Sequence, residues 1–270
     1  MGADTKALRS RIKSVDSTLH LTKAMGLVAS SKIRHATERM LQSRGYDAAL
    51  TKMLRMLTES RECRSSPYMR QNDGETRLIV IAGDRGMAGG YNANVFRTVR
   101  DYPDAKIVPI GKRACDRYGG PFLSSESLTA AEAYVIAKEQ CAAFADGGFR
   151  RLGIVSTRYV SMMSQVPQVT WLLPLTVPED DGEKTASVPI FEPDERTILD
   201  RMIPEYVAGR LVAAVRESFA SEVAARRMAM DSAGKNAQVM IDDLMLRYNR
   251  ARQGAITQEI TEIVAGAGAE

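Results

Sequence analysis

The sequence predicts an α/β domain carried on a long antiparallel two-helix coiled coil. Three observations predict it. Two long proline-free stretches, residues 5–60 and 205–263, flank the chain and repeat apolar residues at helical spacing. Between them, over about 76–195, the pattern changes to short apolar runs of strand length separated by helix-length segments. A glycine-rich turn, GDRGMAGGYNAN at 83–94, follows the first of those runs. The expected organisation is an N-terminal coiled-coil helix in 1–70, a Rossmann-like α/β domain in 71–204 and a C-terminal coiled-coil helix in 205–270.

In the first helix, Leu8, Ile12, Val15, Leu19, Thr22, Gly26, Ala29, Ile33, Ala36 and Met40 follow by alternating steps of four and three. That is a heptad seam. Continued, it meets Leu50, Leu54 and Leu57, with polar Ser43 and Asp47 between. Its middle is small, and small seam residues let a partner backbone approach. Glycine inside a helix costs about 1 kcal/mol against alanine, so Gly26 needs a reason such as close packing.

In the middle segment, Leu78–Ile81, Ile107–Ile110, Leu152–Val155 and Val169–Leu173 read as strands. Helices are expected near 91–100, 112–118 and 128–146. Strands alternating with helices predict a mostly parallel sheet. The acidic, proline-rich stretch 177–195 reads as an exposed loop. Its Glu179, Asp180, Asp181 and Glu183 are better explained as solvated charges than as a cation site.

After Pro204 the second long helix repeats Leu211, Val215, Ala225, Ala229, Val239, Leu246, Ile256, Ile260 and Ile263. At about 1.5 Å per residue each helix would run roughly 80–90 Å. The residues left between them are too few to cover helices of that length. Coiling the two around each other, small patches facing, is the economical solution.

Composition excludes several classes. No window approaches the roughly 20 apolar residues of a membrane span. The N-terminus has no apolar h-region, so no signal peptide is expected. Cys63, Cys115 and Cys141 are widely spaced without a CxxC and read as reduced structural thiols, and His20 and His35 cannot complete a metal site with them. The net charge of +4 is uneven: residues 1–70 carry 14 Lys/Arg against 6 Asp/Glu. That basic helix lacks interleaved aromatics, so no nucleic-acid partner is expected.

The glycine loop invites a nucleotide reading and fails it. A Walker loop needs Lys and Ser/Thr at the helix start, where this chain has Gly90, Tyr91 and Asn92. The run from Gly83 to Gly89 also lacks GxGxxG. The residues read instead as a structural turn, with Gly86, Gly89 and Gly90 allowing positive φ and Asn92 or Asn94 near the helix start. No cofactor and no catalytic set is expected.

LTKAMGLVASSKIRHA (21–36), GDRGMAGGYN (83–92) and YNRARQGAITQEITEIVAGA (248–267) resemble, in order and spacing, the three characteristic regions of the gamma subunit of F-type ATP synthase. The resemblance implies a non-catalytic rotor shaft standing inside an alpha3beta3 hexamer. Its foot would rest on the c-subunit ring with the epsilon subunit, and its membrane association would come only through the complex. It implies beta-subunit contacts at Met25, Arg226, Arg252, Gln253 and Thr257, and contacts to the c ring or epsilon at Arg44, Tyr46 and Tyr206. The chain departs from the family pattern at Gly26 and at Gly45 in SRGY. It lacks the cysteine-bearing insert of chloroplast relatives, so thiol control is not expected. With no transit peptide before the first helix, the expected setting is the cytoplasmic face of a bacterial inner membrane. The rival readings are a nucleotide-binding α/β enzyme with helical arms, which an intact phosphate motif would favour, and an unrelated coiled-coil adaptor.

Overall fold

The structure, a computed structural model, describes residues 2–176 and 191–267. In chain order the elements are α1 (Gly2–Thr58), two short 3-10 turns (Glu62–Ser65 and Pro67–Met69), β1 (Thr76–Ile81), α2 (Tyr91–Val99), β2 (Lys106–Ile110), α3 (Lys112–Tyr118), α4 (Ala130–Ala145), β3 (Arg151–Tyr159), β4 (Gln165–Leu173) and α5 (Glu195–Ala267). The contacts divide the chain into two compact units, Met1–Ser30 with Arg226–Glu270, and Ser31–Ala225.

The second unit holds the sheet, in the order β2-β1-β3-β4. β1 runs parallel to β2 and to β3, and β4 returns antiparallel to β3 as an edge strand. The expected α/β class and mostly parallel sheet are therefore observed. Period-2 alternation sorts the side chains. Leu78 and Val80 pack with Val155 and with Val95 and Val99 of α2. Ile79 and Ile81 point the other way, into a core with Phe144 of α4 and Leu199, Ile203, Val207 and Leu211 of α5. The Thr129–Glu132 capping box starts α4.

α5 starts at Glu195, ahead of the proline taken as its boundary, and Pro204 lies inside it. Asp194 begins the helix: its carboxylate accepts from the Thr197 N–H and hydroxyl, both at 2.8 Å. Proline removes one helical hydrogen bond. Leu199, Ile203, Val207, Leu211 and Val215, at steps of four, are all buried, and that packing outweighs the loss.

Along α1 the expected seam is the buried one, with Leu19, Thr22, Gly26, Ala29, Ala36, Met40, Ser43, Leu54 and Leu57 all buried. In the second unit its polar positions have partners on α5: Arg216 donates to Ser43 Oγ (2.7 Å) and Arg210 pairs with Asp47 (2.5 Å). Pairs such as Asp47–Arg210 and Arg44–Glu217 rise on α1 as they descend on α5, so the helices run antiparallel there. The first unit shows the same sense, with Gly26 against Met230 and Leu19 against Ala237.

The seam on α5 departs from expectation toward the C-terminus. Ala237, Ile241 and Leu244 are buried, whereas Val239 (69%), Leu246, Ile256, Ile260 and Ile263 (70%) are exposed. The seam runs through Ala237, Ile241 and Leu244, so Val239 and Leu246 face outward, and from Ile256 onward the helix is exposed on every side up to residue 265.

Candidate partner-contact surface

The glycine loop is held by polar contacts of its first two residues. The Gly83 N–H donates to Asn92 Oδ1 (2.9 Å). Asp84 Oδ1 accepts from the N–H groups of Lys112 (3.0 Å) and Ser125 (3.1 Å). Its Oδ2 accepts from the Ser124 hydroxyl (2.6 Å) and the Glu126 N–H (3.2 Å). Burial alone would raise the Asp84 carboxyl, but the Ser124 hydroxyl and these backbone donors outweigh it and hold it below the ordinary range. A carboxylate at that position repels phosphate.

Only one of the three turn glycines needs its conformational freedom. Gly89 has φ +57°, while Gly90 caps α2 at φ −81°. Gly86 is not among the positive-φ residues, and the other left-handed position in the loop is Met87, at φ +58°. The positive-φ reading of Gly86 and Gly90 is corrected accordingly. Gly86 instead gives room to Arg113, whose Nη2 would lie 3.0 Å from an added Cβ.

Asp84 carries a pH dependence. Its folded pKa is depressed, so its contribution to stability is present above the ordinary carboxyl value and lost as pH falls through the lowered one. Asp84→Asn is expected to be less stable than wild type at neutral pH, with the gap narrowing in acid below about pH 4. Urea unfolding at several pH values reads this directly, and a pH-independent gap would remove the electrostatic account.

All five residues read as beta-subunit contacts fall in the first unit. Met25 and Arg226 are half-buried, and Arg252, Gln253 and Thr257 are exposed on α5. Thr257 keeps its carbonyl engaged by the Thr261 hydroxyl (2.8 Å). Around them the outer row of α5 continues: Val239, Leu246, Gln253 and Ile260 recur at steps of seven and so share one side of the helix. Beside the seam, Thr22, Gly26 and Gly234 help to line a groove of about 500 Å³ bordered by Lys23, Arg227 and Lys235.

Gly26 is buried on the seam, yet close packing does not demand glycine. An added Cβ would meet Arg227 Nη1 at 3.6 Å and Met230 Cβ at 3.7 Å, ordinary contacts. Arg227 also donates to the Gly26 carbonyl (2.9 Å), a bond that a methyl leaves intact. Gly26→Ala is therefore expected to raise stability by about 1 kcal/mol through helix propensity. A fall in the urea midpoint would show that the helices cannot admit the methyl.

The three residues read as c-ring or epsilon contacts belong to the second unit, and their surroundings differ. Arg44 is tied inward: its guanidinium donates to Glu217 Oε1 (2.6 Å) and to the Tyr159 carbonyl (3.2 Å). Tyr46 is exposed. Tyr206 is 8% exposed and part of the core, and burial pushes its hydroxyl pKa up. Tyr206 thus leaves the contact set, because its ring is already spent on packing.

Sequence reasoning missed Asp84, Arg227 and Glu222. An aspartate directly after a strand, inside a glycine turn, was a usable signal for Asp84, since such residues satisfy local backbone donors. Nothing local marks Arg227 or Glu222. The thiols are free: burial pushes Cys63 up to about 11 and Cys141 to about 12, and Cys115 is half-buried. Among the described residues, no group of three or more His, Cys, Asp or Glu could hold a metal ion.

Comparison with known proteins adds three kinds of likeness. A family model described as ATP synthase matches residues 4–269. The chain is 40% identical to an ATP synthase gamma chain of Ruminococcus albus, covering 97% of this chain and 96% of that one. It is 36% identical to the one of Geotalea daltonii, covering 98% of each. In fold it is similar to a chain of the Euglena gracilis mitochondrial ATP synthase rotor, with a TM-score of 0.69 at 19% identity over 95% of this chain and 100% of that one.

Proposed function

The chain belongs to the ATP synthase gamma-chain family, and on that premise we propose that it turns as the central shaft of the complex, carrying proton-driven rotation of the c-subunit ring to the catalytic beta subunits. It is a non-catalytic subunit. Its work is mechanical: an asymmetric surface that meets each beta subunit differently at each angle biases that subunit between its conformations. A surface making equal contacts at every angle would shift nothing, however tightly it bound.

The observation that carries this reading is the uncovered outer row of α5. Val239 and Leu246 are exposed opposite the seam, and Ile256, Ile260 and Ile263 are exposed where α5 is uncovered on every side from 256 to 265. A row of that extent suits an enclosing partner better than water. Arg252, Gln253 and Thr257 lie among these apolar residues and supply hydrogen-bonding groups for beta-subunit loops. Arginine's planar fork fits bidentate pairing with carboxylates. By the resemblance we assign Met25 and Arg226 to further beta contacts, and Tyr46, with the remaining exposed part of Arg44, to the c ring or epsilon.

Among the described residues no helix is long and apolar enough to cross a membrane. Attachment therefore runs through the complex, and the setting we propose is the cytoplasmic face of a bacterial inner membrane. Co-purification from solubilised membranes tests the reading. The tagged chain is expected to bring down alpha and beta subunits in a complex that hydrolyses ATP. Recovery of the chain without them would overturn the shaft and favour a coiled-coil adaptor.

A further inference from the structure

We propose that the glycine loop is a socket for Glu222 of α5, and that Glu222 is the positioning residue that seats the sheet on this helix so that torque passes between them. The torque half rests on the gamma-chain reading above.

The φ of Gly83 is not positive, so its backbone does not require glycine. Space does: a Cβ there would lie 2.6 Å from Glu222 Cδ, 2.7 Å from Oε1 and 2.9 Å from Oε2. The Glu222 carboxyl therefore rests directly on the Gly83 Cα. The Gly83 side is fixed in place. The Gly83 N–H donates to Asn92 Oδ1 (2.9 Å) and its carbonyl accepts from the Arg113 N–H (3.1 Å). Glu222 is 3% exposed, enclosed between helix and loop.

The same stretch of α5 is held by further bonds. The Tyr91 hydroxyl donates to the Ser218 carbonyl (3.0 Å). The Thr157 N–H donates to Ser218 Oγ (3.1 Å), and the Ser221 hydroxyl donates to the Thr157 carbonyl (3.1 Å). Ser218 and Ser221 are fully buried. Directional bonds around a lodged carboxyl add to the apolar packing and fix one position of the helix on the sheet. The loop that resembles a phosphate cradle thus holds a carboxylate of its own chain.

The test is a double-mutant cycle on the full chain, joined to a coupling assay on the assembled complex. Gly83→Ala is expected to lower Tm by about 5 °C. In a Glu222→Ala background, where the obstructing carboxyl is gone, the same change is expected to have little effect. Equal losses in both backgrounds would overturn the socket. In the complex, Gly83→Ala and Glu222→Ala are expected to lower protons pumped per ATP hydrolysed, while Glu222→Gln, which keeps the shape, restores the ratio. Unchanged pumping in the two alanine variants would overturn the torque role even if the cycle shows coupling. Failure of the wild-type chain to assemble with alpha and beta subunits would remove the gamma-chain reading and the torque role, and the thermal cycle would still decide the socket.

Discussion

Gly111→Ala is expected to cost the sheet-bearing unit about 3–5 kcal/mol, the sum of backbone strain and overpacking. Gly111 ends β2 at φ +90°, a region that side chains rarely enter. A Cβ there would also be driven into the Ala82 carbonyl oxygen, far inside van der Waals contact. The two backbones cannot part to relieve it. The Ala82 N–H donates to the Ile110 carbonyl (2.9 Å) and the Gly111 N–H donates to the Leu123 carbonyl (2.7 Å). Gly119 supplies the control. It has φ +80° with nothing within 4 Å of an added Cβ, so Gly119→Ala carries the strain alone, about 1–2 kcal/mol. Urea unfolding of both variants separates the terms. Equal losses would mean that the close approach at Gly111 is not felt in solution.

The second large effect is functional. Arg252→Ala with Gln253→Ala is expected to lower ATP turnover of the assembled complex by about tenfold or more. A charged hydrogen bond contributes roughly 1.5–3 kcal/mol, and about 1.4 kcal/mol in a barrier is a factor of ten. Both side chains are exposed in this chain and contribute nothing to the seam, where Ala251 and Ala255 are the half-buried positions. The free chain's stability is therefore expected to change by less than about 0.5 kcal/mol. Turnover of an intact double-mutant complex beside wild type is the measurement. Normal turnover would make this a solvated face and leave the shaft to act by shape.

Much of the fold was legible because its signals are local. Apolar residues at steps of three and four marked α1 correctly down to the polar seam positions Ser43 and Asp47. Short apolar runs of strand length marked all four strands, and the spacing between them marked α2, α3 and α4. These patterns need only the geometry of one helix or strand against water. The resemblance to gamma subunits rested on short stretches that can also be read one residue at a time.

What tertiary structure decided are the matters of who meets whom. Pro204 reads as a stop until Leu199, Ile203 and Val207 are seen buried together on either side of it. Tyr206 reads as a surface aromatic until the core closes over it. Ile256, Ile260 and Ile263 read as seam until the half-buried face is seen to end at Ala251 and Ala255. Gly83 reads as one more flexible glycine until Glu222, far along the chain, comes to rest on it. Periodicity reports which side of an element prefers to leave water. It does not report the volume, charge or backbone of the partner that arrives there, because those belong to residues remote in sequence and are set only when the chain packs.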